Sequence, residues 1–360
     1  MAENSSRAVL ITGVSGDLGS RLLSQLNDFR AIGVDLRKPR VSLPFAPLDL
    51  GSDGAVAILA NLLRETQANA VVHLAWVLDP LRTGILDRKR MWQINVAGTR
   101  RVMDAIAQVN ANGGAVRKFI FTSSVSSYGP NLPRPARETD PLGGHTLIYA
   151  EHKRESDELV QSRWQHLGPC STYILRPHIF TGPTVQNYQI GALRGTIGGK
   201  SKIAEQLRTQ GKRLPIILPT GGDYLENKFQ FVHVDDVARL IAFILRRPDS
   251  TPSLTVLNVA SRGEPLPLWQ CAQIGAAKIL RLPTKALCRL VIQAVWSLGI
   301  SSIPPDAFPY LIGSYPMDTS RLRDFLGDQY ENVIRYTVRE AVGAAFEKEE
   351  AEAGHNAVAV

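Results

Sequence analysis

The sequence predicts a doubly wound α/β fold, a parallel sheet covered by helices on both faces, with a smaller and mostly helical C-terminal domain. Three observations predict it. Short, β-branched apolar runs alternate with longer amphipathic stretches through the first half of the chain. Those runs are apolar throughout rather than alternating, as strands buried on both faces are. The first run also leads straight into a glycine-rich turn that opens a helix.

In chain order, strands are expected over 9–12, 31–35, 70–75, 119–123 and 172–175, and helices over 19–27, 53–66, 90–109 and 149–165. After Arg176-Pro177 the alternation breaks, and 178–225 is rich in Gly and Pro, with one basic helical segment near 203–210. A strand resumes over 229–234, followed by a helix over 235–246 whose acidic start, Asp235-Asp236, favours its N-terminus. Beyond about residue 260 the chain reads as helical, punctuated by Pro265, Pro267, Pro283, Pro304 and Pro305. The division expected is a sheet domain over 1–177 and 226–260, a substrate domain over 178–225 and 261–335, and a C-terminal helix with a fraying acidic tail over 336–360.

An apolar fraction of 44% and a charged fraction of 21% are ordinary for a soluble globular protein and argue against a disordered or fibrous chain. The polar start is too short for a secretory signal, and no run reaches the ~18–20 apolar residues of a membrane span. Cys170, Cys271 and Cys288 are scattered without metal-ligand spacing, which suits core filler in a reducing compartment; a cytoplasmic location and no bound metal are expected. The net charge of +8 is spread out, with brief clusters at 37–40 and 88–90, so no nucleic-acid footprint forms. A phosphate-bearing cofactor or substrate, or an anionic surface, explains the charge more simply.

The first strand runs into Thr12-Gly13-Val14-Ser15-Gly16-Asp17-Leu18-Gly19. Glycines here allow a tight turn, close approach of backbone to pyrophosphate and close packing of helix on strand, while amides of the helix start receive phosphate. Asp35 follows sixteen residues after Gly19, at the end of the second strand. A carboxylate there can hold both hydroxyls of an adenine ribose and repels a 2′-phosphate, whereas Arg37 and Lys38 attract one; the balance favours NAD over NADP. Asp49-Leu50 stands where a carboxylate can meet the adenine amino group, and Leu74-Ala75 closes the fourth strand near the ribose and pyrophosphate. Trp76 and Val77 continue from it at the height of the site and are apolar.

Thr122, Ser124 and Ser126 mark the C-terminal end of the fifth strand, where open α/β sheets bind ligands. A serine hydroxyl there can donate to an oxygen on which charge develops. Tyr149 and Lys153 are four apart on a predicted helix, so phenol and ammonium share one face, and a nearby cation favours phenolate. Such a Tyr can take a proton from an alcohol or return it to a carbonyl.

Taken together, these motifs resemble the extended short-chain dehydrogenases/reductases, the NAD-dependent epimerase/dehydratase family. The likeness adds His73 before Leu74-Ala75, Asn95 with Gly98-Thr99, Tyr128-Gly129, Arg176-Pro177 with Gly182-Pro183, and Phe231-Val232-His233-Val234-Asp235-Asp236, and covers roughly 8–240; Asp318–Leu322 extends it. The resemblance implies a Rossmann domain holding NAD, with Tyr149 as general acid/base. Lys153 would lower the Tyr149 pKa and hold the nicotinamide ribose, and Ser124 would polarise the substrate oxygen. Asn95 would anchor helix and backbone, and Pro177, His178 and Ile179 would lie along the cofactor. Substrate contacts would come from Trp76, Val77, Ser124, Ser126 and His178. Pairing through the helices over 90–109 and 149–165 would give a homodimer.

Three departures bear on the substrate. No Asn follows Arg176-Pro177, where this chain has His178-Ile179-Phe180; Gln230 follows Phe229 where an Arg-Asp pair often stands; and Ile148, neither small nor Pro, precedes Tyr149. A nucleotide sugar and an apolar, steroid-like or lipid-like alcohol both stay open, as does a non-catalytic NAD-binding sensor or scaffold, against which Tyr149, Lys153 and Ser124 speak. Over 284–300 an apolar helical stripe with Arg281, Lys285 and Arg289 near its start is too short to span a bilayer. Core packing of the small domain is the expectation for it, ahead of a lid or a shallow membrane contact.

Overall fold

The computed structural model describes residues 7–78 and 87–347; the expected fraying of the tail beyond Glu347 lies outside the described residues. The chain divides into two compact units, one of residues 1–178, 235–260 and 315–335, the other of 179–234, 261–314 and 336–360.

The larger unit is built on β1 (Ala8–Thr12), β2 (Arg30–Asp35), β3 (Phe45–Pro47), β4 (Ala70–His73), β5 (Lys118–Thr122), β6 (Ser171–Pro177) and β11 (Leu254–Val259). They form one sheet in the order β11-β6-β5-β4-β1-β2-β3, every neighbouring pair parallel. β1, β4, β5 and β6 are buried along their whole length, which is why their sequences carry no polar alternation. Helices α1 (Asp17–Leu23), α2 (Ala55–Thr66), α3 (Arg88–Ala111) and α4 (Ile148–Arg163) supply the crossovers. Leu10, Val34, Leu59, Ile106, Phe119 and Phe121 are among the residues of one buried core, each side chain contributing about 1.5–3 kcal/mol. Because β1 pairs with both β2 and β4, strand order reverses between β1 and β4, and the crevice at their carboxyl ends is the switch point where such sheets bind ligands.

The smaller unit holds three two-stranded pairs: β7 (Ile179–Thr181) with β10 (Phe231–His233), β9 (Lys228–Phe229) with β12 (Leu266–Pro267), and β8 (Ile216–Pro219) with β13 (Ile279–Leu282). Helices Tyr188–Arg194, Lys202–Thr209, Leu268–Ile274, Lys285–Ser297 and Val338–Ala344 surround them.

The boundaries differ from the sequence expectation in three places. Residues 226–234 belong to the smaller unit, because β9 and β10 pair with β12 and β7. Residues 315–335 belong to the larger one, tied to it by the Ala136–Met317 bridge and by the helix Ser320–Leu326 packed on β11. The helix Val338–Ala344, with a Thr337–Glu340 capping box, packs on β10 within the smaller unit instead of forming a separate tail. The stripe over 284–300 also departs from expectation: in the helix Lys285–Ser297 only Cys288 is buried, so this helix is not a core element.

Candidate active site

The glycine loop leaves β1 at Thr12 and enters α1 at Asp17. Gly13 takes φ +72° and its N–H donates to Val34 O at 2.8 Å. A Cβ on Gly13 would lie 2.5 Å from Ala75 N, and one on Gly19 would lie 2.5 Å from Gly13 O. Both glycines are therefore dictated by close approach, Gly13 also by its left-handed backbone. Gly16 caps α1 without a side-chain acceptor, and the first turn holds Asp17 and Leu18.

Asp35 ends β2 and turns its carboxylate onto this loop: Ser15 N donates to Oδ2 and Arg37 N to Oδ1, each at 3.1 Å. Ser15 Oγ donates to Arg37 O at 2.5 Å. Loop, acid and Arg37 thus form one braced turn beside the switch point, with the Arg37 side chain exposed. Asp49 is less available, since its carboxylate pairs with Arg90 and accepts from Gly51 N. Leu50 is a core residue packed under Gly98 and offers the site no side chain.

Past β4 the backbone of Leu74 and Ala75 donates to Thr12 Oγ1 at 3.2 and 3.3 Å. Asn95, fully buried on α3, holds Val77 at both ends, accepting from its N–H at 2.8 Å and donating to its carbonyl at 3.1 Å. Asn95 therefore braces the Trp76–Val77 segment and does not itself face the crevice. Beneath it, His73 Nδ1 bonds Thr12 Oγ1 at 2.7 Å and Nε2 bonds Thr99 Oγ1 at 3.0 Å. Burial and the nearby Lys153 charge push the His73 pKa down to about 3, so the ring is neutral at physiological pH.

Tyr149 lies in the first turn of α4 and Lys153 one turn later. Ser124, at the end of β5, starts a 3₁₀ turn and accepts from Ser126 N at 3.2 Å, with Ser126 Oγ 2.9 Å away. The Ser124 hydroxyl acts to lower the pKa of the Tyr149 phenol. Lys153 Nζ donates to Thr122 O at 2.7 Å, two residues before Ser124. Serine, tyrosine and lysine are thus brought together at the carboxyl end of β5. The expected lowering of the tyrosine pKa is not seen: burial raises Tyr149 to about 12, against the lowering effect of the Ser124 hydroxyl. The reason is where the ammonium sits. Lys153 Nζ lies 5.9 Å from the Tyr149 ring centroid but only 3.5 Å from that of Trp76, and burial holds its own pKa well below the usual lysine value. Trp76 also meets Tyr149 edge-on at 6.4 Å, and its indole N–H is buried with no hydrogen-bond partner.

His178 follows Pro177 at the end of β6, buried, with its ring stacked on Tyr315 at 5.3 Å and Nε2 3.3 Å from Tyr315 O. Ile179 opens β7 in the smaller unit. Sequence reasoning missed what lies under α4. Asp157 accepts from Arg176 Nε and Nη2, both at 2.8 Å, with the two side chains 0% and 1% exposed. Arg176 Nη1 also donates to Tyr128 OH at 2.6 Å and Glu138 O at 2.9 Å, and Tyr128 OH donates to Asn258 Oδ1 at 2.8 Å. This network ties the helix bearing Tyr149 to β6 and to the turn after Ser124. The available signal was Asp157 four residues past Lys153, on the same helical face.

The family model of the NAD dependent epimerase/dehydratase family matches residues 9–260. Protein CapI of Staphylococcus aureus is 26% identical over 189 residues, 49% of this chain and 54% of the relative. N-acetyl-α-D-glucosaminyl-diphospho-ditrans,octacis-undecaprenol 4-epimerase of Escherichia coli O157:H7 is 29% identical over 198 residues, 53% of this chain and 54% of the relative. The chain thus spans about half the length of these curated relatives. Among solved structures, UDP-glucose 4-epimerase of Thermus thermophilus, in complex with NAD, superposes with a TM-score of 0.64 at 19% identity, covering 94% of this chain and 97% of that one, a likeness of fold. With the family model matching well over half its length, this chain belongs to the NAD-dependent epimerase/dehydratase family.

Proposed function

We propose that the protein is an NAD-dependent oxidoreductase that takes hydride from the secondary alcohol carbon of a nucleotide sugar or related hydroxyl compound, with Tyr149 as general acid/base. The observation that carries this reading is the convergence of Ser124, Tyr149 and Lys153 at the carboxyl end of β5, the strand next to β4, with Ser124 acting to lower the phenol's pKa and the lysine anchored on Thr122 O. The residues present fit the cofactor. The cradle made by Gly13, Gly16 and Gly19 has no room for a Cβ at its first and last positions, and the first turn of α1 has no side-chain cap competing for its amides. Ser15, Asp17, Leu18, Asp35 and Arg37 would hold the adenosine and pyrophosphate. Leu74, Ala75, Trp76, Lys153 and the Pro177–His178 backbone would hold the nicotinamide end. When bound, NAD supplies the hydride acceptor.

The chain's own residues handle the proton. Tyr149, with its pKa raised to about 12, is a phenol at physiological pH and in that form donates to a carbonyl oxygen. For the reverse transfer the phenolate must be favoured, and Lys153, with Nζ 5.9 Å from the Tyr149 ring centroid, is the group placed to favour it. Ser124 donates to the same substrate oxygen and so steadies the charge that develops on it. Asn95 and the Thr12–His73–Thr99 chain of hydrogen bonds keep the Trp76–Val77 backbone in register with β1.

Relatives support the sugar reading: the curated ones include a UDP-glucose 4-epimerase and an epimerase of a diphospho-undecaprenol-linked sugar. A net dehydrogenase of an apolar alcohol is the second reading. It is favoured by the Trp76–Val77 wall and by the lack of an Asn among His178-Ile179-Phe180, with the His178 ring already stacked on Tyr315. Purified protein separates the two. An epimerase or dehydratase carries NAD through purification and converts a nucleotide sugar without net NADH. A dehydrogenase exchanges its cofactor and accumulates NADH with an apolar alcohol. Absence of both activities across nucleotide sugars and hydroxysteroid-type alcohols contradicts the proposal. The oligomer proposed is a dimer through α3 and α4, and a sedimenting species of monomer mass alone at micromolar concentration contradicts it.

A further inference from the structure

The smaller unit encloses an apolar cavity that the proposed reaction does not use. It measures about 280 Å³ and lies between the helix Tyr188–Arg194, β8 and the helix Lys285–Ser297, with Phe308 and Leu311 also in its wall. Leu280 of β13 belongs to the wall and is 43% exposed, so the cavity has a mouth at the surface. At about 100° per residue, Val291, Val295 and Ile292 span an arc of about 100° on their helix, with the buried Cys288 inside it. Lys285 and Arg289 fall outside that arc, so the helix turns an uncharged face to the cavity. The wall made by the helix Tyr188–Arg194 is built from small residues, Gly191, Ala192 and Gly195. Gly195 is dictated by its φ of +63° at the helix C-cap. Gly191 is different: a Cβ there would meet nothing within 4 Å, so crowding does not require it. A glycine inside a helix lowers stability relative to alanine, and the effect of this one is to keep the cavity wide. Folded interiors are close-packed, and cavities of this size are few.

The chemistry of the wall selects the ligand. Among the described residues no wall residue carries a charge, and the polar ones are Gln189, Thr196 and Ser301. Gln189 and Ser301 are each 7% exposed. Ser301 Oγ accepts from Ile303 N at 3.1 Å, a bond that does not use its own proton. A phosphate, a carboxylate or a sugar ring placed here would leave water without recovering its hydrogen bonds. A hydrocarbon group gains by leaving water, and one hydroxyl or carbonyl on it can meet Gln189 or Ser301. An apolar cavity of about 150 Å³ takes up benzene, so this one has room for roughly ten carbon atoms.

We infer that this cavity is a binding site for an uncharged, hydrocarbon-rich small molecule of that size bearing a single hydroxyl or carbonyl group. The inference does not depend on the proposed reaction: every wall residue lies in the smaller unit, whereas Ser124, Tyr149 and Lys153 lie in the larger.

Calorimetric titration of the full chain with octan-1-ol tests it. A single molecule should bind per chain, with a Kd of about 0.5 mM or tighter and a negative heat-capacity change. Octanedioate is charged at both ends, so one carboxylate must enter the cavity, and it should bind at least about tenfold more weakly. Gly191→Leu and Val295→Phe add bulk from two different walls, and each should weaken octan-1-ol binding by about tenfold or more. Gly191→Leu should keep or raise the thermal midpoint, because it also removes a glycine from a helix, so its loss of binding cannot be put down to unfolding. Leu290→Ser lies outside the wall and should bind as the parent does. Absence of saturable binding up to the solubility limit of octan-1-ol, equal affinity for octanedioate, or parental affinity in the folded variants that add bulk would overturn the inference.

Discussion

Asp157→Asn is the sharpest structural perturbation available near the site. The side chain keeps its size and loses its charge, so Arg176 keeps its place and loses its counter-ion at a position 1% exposed. Both arms of the bidentate pair, 2.8 Å each, weaken together. Removing one partner of a buried pair costs about 3–5 kcal/mol, because the remaining charge can neither reach water nor shed its proton. For a unit of this size about 2–4 °C of thermal midpoint accompanies each kcal/mol, which gives a fall of roughly 6–20 °C. A functional effect follows from the same residue. Asp157 favours the charged form of Lys153 against burial, so the variant should also lower turnover of whatever enzyme remains folded. Calorimetry with and without NAD reads the first effect, and initial rates at saturating cofactor read the second. Pairing Asp157→Asn with Arg176→Met should recover a large part of the stability, since an apolar pair leaves no buried charge. A midpoint within about 2 °C of the parent for Asp157→Asn alone would refute the reasoning.

Two further predictions test other parts of the account. Gly13→Ala forces a Cβ to within 2.5 Å of Ala75 N at φ +72°, so the loop must shift; NAD affinity should drop by about tenfold or more while the fold persists, and titration giving the parental affinity would count against the cradle. His73, with its pKa depressed to about 3, stays neutral in the folded protein where the unfolded chain takes up a proton. Its contribution is therefore fully present above pH 6.5 and is lost at up to about 1.4 kcal/mol per pH unit as pH falls from 6.5 towards 3. Denaturant midpoints at pH 7 and pH 5 should show this loss in the parent and about 2 kcal/mol less of it in His73→Gln.

Much of the cofactor cradle is legible in the sequence because its chemistry is local. Thr12–Gly19 is one continuous turn, and Gly13 and Gly19 are required by close approaches, to the backbone of Ala75 just past β4 and to that of Gly13 itself. The Tyr149–Lys153 spacing is likewise a property of a single helix. What the sequence hid is tertiary. The position of the Lys153 ammonium, on Thr122 O and the Trp76 ring, depends on β5 and on the segment after β4, and it leaves burial to decide the Tyr149 pKa. Asn95 and Asp49 illustrate the same limit, each a polar residue near the switch point whose partner, Val77 backbone or Arg90, is far off in sequence. The edge strand β3, half-exposed and flanked by prolines, lacked a periodic signal, whereas β11 carried a β-branched run that the strand assignment passed over. The helix Lys285–Ser297 is the most instructive difference. Its apolar stripe reads as core because periodicity reports which residues are apolar, not what covers them.

The central claim is that the Tyr149 phenol carries the proton. It is tested by Tyr149→Phe, which keeps the ring that packs against Trp76 and removes only the hydroxyl. With a substrate identified by the screen, pre-steady-state nicotinamide absorbance measures hydride transfer, and a separate titration measures NAD affinity. The account predicts a rate lower by about a hundredfold or more, with cofactor affinity changed by less than about threefold. A rate within about twofold of the parent would contradict it.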